Sequence, residues 1–166
     1  VLLIHGTVER SFTNKSSLGY NMIVGAKGGR LQLVLNTVYY LSQPVENIPY
    51  AYYQQFLGAD DIQAYANEIG MDQLGEESDG KFAKLISFAI PVCLGDYYDQ
   101  FRVVGTIPQL FDQISYDADH GRKYRFDRGR NFQVYSDEHG YFECVVGARV
   151  AREMAIELNA TISATH

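Results

Sequence analysis

The sequence has no tryptophan, only four prolines and only two cysteines, Cys93 and Cys144. Two cysteines can pair in principle, but they make no disulfide framework, and their spacing fits no zinc pattern. A chain of 166 residues needs neither, because at this length roughly two thirds of the unfolded surface goes inside on folding. No apolar run approaches the roughly 20 residues of a membrane span. No charged-then-apolar leader with a small-residue cleavage site opens the sequence, which reads as soluble. It begins at Val1 rather than Met, the expectation for a processed chain or a domain cut from a longer protein. Disorder and collagen-like repeats are excluded by 46% apolar and 20% charged residues, and residues 1–166 are read as a single domain.

Positive charge is missing from a long stretch. Between Arg30 and Lys81 there is no Lys or Arg, and Glu46, Asp60, Asp61, Glu68, Asp72, Glu76, Glu77 and Asp79 give that stretch −8. The chain as a whole carries −6, so the remainder is +2. One segment exceeds that total: Arg122, Lys123, Arg125, Arg128 and Arg130 against Asp127 make a local +4, interleaved with Tyr124, Phe126 and Phe132. Such a segment reads either as a solvated loop or as a contact for nucleic acid, a phosphorylated target or a pyrophosphate.

With tryptophan absent, 13 Tyr and 9 Phe supply the large rings. Tyrosine suits pockets that stack a ring while keeping one edge wet. The apolar run at 1–4 ahead of His5-Gly6 predicts a buried strand, and the alternation Leu31, Leu33, Leu35 predicts another, with a short β piece at 38–41. Helices are expected over 48–57 and 59–69, with Asp60-Asp61 near a start and Gly70 as a stop. The apolar segment 81–94 predicts a central strand ending near Pro91; short helices are expected at 96–101 and 108–116. Residues 132–135 and 141–146 predict a hairpin around Ser136-Asp137-Glu138-His139-Gly140. The tail 148–161 carries both helical and strand periods. The sum is an α+β domain dominated by short strands.

Three patterns carry no chemistry. The run into His5-Gly6 lacks the downstream Gly-x-Ser-x-Gly elbow of a hydrolase. Gly25-Ala26-Lys27-Gly28-Gly29 lacks the Gly-Lys-Ser/Thr ending of a phosphate loop. His5, His120 and His139 each precede glycine, which reports turns with left-handed Gly rather than a metal site.

One constellation remains. His5-Gly6-Thr7 closes the first predicted strand; Val38-Tyr39-Tyr40-Leu41-Ser42 follows, then Tyr50; Tyr141-Phe142-Glu143 places a carboxylate near the C-terminus. A carboxylate between apolar neighbours on a strand either faces water or serves a site. In order and spacing these residues resemble the His-Tyr-Glu class of ADP-ribosyltransferases, the group of diphtheria-type toxins and poly-ADP-ribose polymerases. The likeness spans residues 5–158. Thr37 and Val38 stand where the family has glycine before its aromatic-Tyr pair. The arginine-specific branch, with Ser-Thr-Ser and Glu-x-Glu, is not matched.

The resemblance implies a split mixed sheet of short strands with a few short helices, and NAD as co-substrate. It implies His5 on the adenosine-side ribose, Gly6 on the carboxamide through its backbone, and Thr7 supporting the site. Tyr39 or Tyr40, together with Tyr50, would sandwich the nicotinamide. Glu143 would stabilise the oxocarbenium-like state, making His5, Tyr39 and Glu143 the catalytic set, with no metal. The implied role is a toxin or effector delivered into a target cell, modifying a macromolecule, most simply a protein, and opposed by a cognate immunity or inhibitor protein. Nucleic acid at Arg122–Arg130 is the other partner implied by charge. Two rival readings stand beside it: an NAD glycohydrolase or RNA phosphotransferase on a related scaffold, and a non-enzymatic acidic interaction or inhibitor protein using the −8 stretch as its face.

Overall fold

The computed structural model describes residues 19–39, 41, 46–68, 78–117 and 120–165. The expected strand at 1–4, His5, Gly6, Thr7, Tyr40 and the helix stop at Gly70 lie outside them. Among the described residues the architecture is α+β: short helices and two separate two-stranded antiparallel sheets.

Helix α1 (Arg30–Thr37) follows the glycine-rich loop, with Gly29 extended at its start. A strand is expected here from the Leu31-Leu33-Leu35 alternation, and the structure corrects it. Leu31, Val34, Leu35 and Val38 also recur at i, i+3, i+4 and i+7, and leucine is a strong helix former, so a five-residue alternation cannot outweigh the helical period. Val38 caps α1, its N–H donating to the Val34 carbonyl at 2.9 Å, so the β piece expected from 38 is also corrected.

Helices α2 (Tyr50–Gln54) and α3 (Ala59–Glu68) form where expected. Pro49 pre-sets the start of α2. Asp60 and Asp61 occupy the first turn of α3, where negative charge suits the helix dipole, and Asp79 caps it from a distance: Oδ1 accepts the Ala59 N–H at 3.1 Å. The segment carrying Asp79 is clasped to the α2–α3 connection by Gly80 N–H to the Leu57 carbonyl (2.9 Å) and Phe82 N–H to the Gln55 carbonyl (2.7 Å). Leu57, Ile62 and Ala66 of the same region are buried.

The central strand expected over 81–94 does not form. Its start is a turn and a short 3₁₀ helix, Ala83–Leu85, and only Cys93 and Leu94 enter a strand. Leu85 is exposed, and Pro91 has no N–H for a ladder; its carbonyl takes the Thr106 hydroxyl at 2.9 Å. The helix expected at 96–101 is instead the turn of a hairpin, β1 (Cys93–Tyr98) and β2 (Phe101–Gly105). Asp99 adopts φ 53°, a left-handed conformation that Asp tolerates and that tight hairpin turns require. Tyr97 on β1 also bridges Thr165, drawing the C-terminal tail onto the hairpin.

Helix α4 (Gln109–Gln113) occupies part of the predicted 108–116 helix and gives way to β3 (Ser115–Asp117), paired with β4 (Arg122–Lys123). The hairpin expected around 136–140 forms its turn but not its strands. Ser136 and Gly140 exchange two backbone bonds at 2.9 and 2.7 Å, with Gly140 at φ 59°, and the flanking chain is irregular. In the tail the helical period wins: α5 spans Ala148–Glu153. No helix among the described residues is long and apolar enough to cross a membrane.

Candidate functional site

Phe111 on α4 is the anchor of this region. Its ring meets Tyr124 (5.3 Å between centroids), Phe126 (5.9 Å) and Phe132 (6.3 Å), so the aromatic residues of the basic segment gather on one ring, Phe126 and Phe132 half-buried and Tyr124 still exposed. The cations between them remain outside and are mostly answered. Arg122 pairs with Asp117 at 3.6 Å, Arg128 with Glu157 at 3.4 Å and Arg130 with Glu143 at 2.8 Å, while Lys123 donates to the Asp112 carbonyl at 2.7 Å. Among the described residues Arg125 has no ion pair. Interleaving of rings and arginines here is therefore the alternation of an anchored segment, with three of its five cations neutralised. That leaves little net charge for a polyanion.

Asn131 pins the next stretch to α4. Its amide donates to the Pro108 carbonyl at 2.9 Å and to Asp112 Oδ1 at 3.1 Å, and its own oxygen accepts the Phe132 N–H. Residues 130–133 are thereby wrapped around one carboxylate, Glu143. Arg130 Nη1 reaches Oε2 at 2.8 Å and Nη2 reaches Oε1 at 2.9 Å, a bidentate fork. The Gln133 N–H donates to Oε2 at 3.0 Å. This explains the missing strands: the N–H that a hairpin partner would need is taken by a side chain. The expectation of Glu143 on a strand is corrected accordingly.

Glu143 faces inward, its side chain only 9% exposed, while Phe142 beside it is 90% exposed. Ordinary burial preference is inverted at these two positions. The Arg130 guanidinium first, then the Gln133 N–H and the Ser136 hydroxyl, hold the Glu143 carboxyl down to about 2. It is ionised throughout the physiological range. Arg130 borders an open groove of about 510 Å³ together with Pro108, Gln109, Asp112, Asn131, Phe132, Gln133, Val134 and Tyr135.

The tyrosines are placed elsewhere. Tyr50 opens α2 and stacks on Tyr65 of α3, centroids 5.8 Å apart and planes 25° apart, with Tyr53 at 5.6 Å. Burial, and then Tyr65, push the Tyr50 hydroxyl up to about 12; burial raises Tyr53 further in the same direction. Tyr39 follows the C-cap of α1 and is exposed. His5, Gly6, Thr7 and Tyr40 lie outside the described residues. Cys93 and Cys144 are free thiols. Among the described residues no group of three or more His, Cys, Asp or Glu could hold a metal ion.

No family model, curated protein or solved structure matches this chain. Arg130 and Asn131 are the ones that sequence reasoning did not single out as a pair of anchors. The available signal was their position, directly between an aromatic-basic segment and the turn leading to Glu143.

Proposed function

We propose that the chain is an NAD-dependent ADP-ribosyltransferase, with Glu143 supplying the anion opposite the ribosyl cation. The observation that carries this reading is Glu143 itself: an inward carboxylate, ionised at neutral pH and oriented by three hydrogen-bond donors, two of them on Arg130 and one on Gln133, residues that line an open groove of about 510 Å³. Cleavage breaks the bond from ribose C1′ to nicotinamide, and its electron pair leaves with the ring. The acceptor nucleophile bonds C1′ and its proton passes to solvent. Positive charge develops on the ribose, so a fixed carboxylate lowers the barrier without reorganising. The order His5-Gly6-Thr7, Tyr39-Tyr40, Tyr50, Glu143 supports the same chemistry, with those residues in the roles the resemblance implies. A split mixed sheet belongs to this reading, and the two antiparallel pairs and short helices are compatible with it. A macromolecular acceptor, most simply a protein, is part of the proposal.

The test is incubation with labelled NAD and whole-cell lysate, following nicotinamide release and transfer of label. Wild type should do both. Glu143→Gln should lower turnover by about 100-fold or more while circular dichroism and thermal melting show a folded protein. Absence of both NAD binding by calorimetry and turnover in the wild type overturns the reading.

A further inference from the structure

The Glu143 carboxylate is largely taken up in this structure. Two carboxylate oxygens offer about four acceptor positions. Nη1 and Nη2 of Arg130 and the Gln133 N–H take three of them. Arg130 and Gln133 line the groove and Glu143 does not, so a hydroxyl entering from the groove meets these donors before it meets the carboxylate. The Gln133 N–H is main chain, in a segment pinned to α4 by Asn131. Arg130 Nη1 has a second anchor in the Asn131 carbonyl at 2.8 Å. Among the described residues Nη2 has only Oε1, and the guanidinium is 59% exposed at the groove.

Resting on the reading above, we infer that Arg130 is a positioning residue which the ribose of the dinucleotide partly displaces, its hydroxyl taking Oε1 of Glu143 from Nη2 while Nη1 stays on Oε2. In the ligand-free protein the fork keeps the carboxylate in one orientation. Arg130 thus couples substrate entry to exposure of Glu143, and it opposes binding while preparing the site.

Arg130→Lys separates these roles. A lysine is a point donor that cannot fork across both oxygens. The variant should bind NAD about three- to tenfold more tightly, the value of one competing exposed hydrogen bond, with KM lowered and kcat not raised. Arg130→Gln should move the Glu143 carboxyl upward by carbon NMR and lower kcat. A second measurement needs no variant: the guanidinium N–H resonances of Arg130, protected in the free protein, should lose protection at Nη2 on saturation with NAD. Weaker NAD binding in folded Arg130→Lys overturns the inference, and so does a wild-type guanidinium unchanged by NAD; either result leaves the transferase reading standing if turnover is present. Failure of the wild type to bind or cleave NAD removes both.

Discussion

At Glu143 the protein stores a dependence on acid. Its carboxyl is held near 2 in the folded chain, chiefly by Arg130, against an ordinary value of 4.5. A depressed value favours the ionised form in the fold, so its stabilising contribution is complete above about pH 4.5 and lost as the pH falls towards 2. Arg130→Gln removes most of that difference between folded and unfolded chains. The melting temperature of wild type should therefore exceed that of Arg130→Gln at pH 6, and the gap should close between pH 4.5 and 2. A gap constant over that range contradicts the assignment. Glu143 was legible as a special carboxylate because it interrupts an apolar sequence. Its partner was not, since 13 residues separate the two and only the folding of 130–133 back over Glu143 brings them into register.

At the level of elements, caps and close approaches decide stability more than propensity does. The start of α3 depends on Asp79, 20 residues away. Asp79→Ala should cost about 1 kcal/mol, read by urea denaturation, and Asp79→Asn should recover most of it. Gly80 sits where any Cβ collides with the main chain at Gln54 and Gln55. Gly80→Ala should therefore cost about 1–3 kcal/mol and loosen α3 in hydrogen exchange. Exchange protection unchanged in both variants would refute the clasp. The corrected elements share a cause. Leu31 to Leu35 fit two periods, residues 96–101 hide a hairpin behind a left-handed Asp99, and 132–146 trades strand pairing for a side-chain acceptor. Local pattern carries no information on which competing hydrogen bond is made.

Over the whole molecule, the buried apolar set among the described residues is small: Leu57, Ile62, Ala66, Leu94 and Ile114. Each member then matters. Ile62 is 2% exposed, and Ile62→Ala should cost about 2–4 kcal/mol in chemical denaturation; a loss below half a kcal/mol argues against that core. Arg102 gives the opposite expectation. It lies over the Tyr97 ring at 4.6 Å and donates to the Tyr97 hydroxyl, yet Nε and Nη1 are buried with no partner among the described residues. Arg102→Met keeps the stem and removes two unpaired donors, so stability should be unchanged or higher. A marked loss would show that the guanidinium has a partner.

From composition and pattern alone came a mixed α+β class, the helices at α2 and α3, turns at His120-Gly121 and His139-Gly140, and Glu143 as the carboxylate to watch. These follow from local chemistry: helix period, acidic first turns, and left-handed glycine at positions 121 and 140. Tertiary structure alone decided that Arg130 forks onto Glu143, that Phe111 gathers the aromatics of the basic segment, and that Arg122 and Arg128, though exposed, each pair with a carboxylate. Those outcomes depend on which groups meet across long loops, and a meeting of that kind is settled by the satisfaction of buried polar atoms rather than by sequence neighbours.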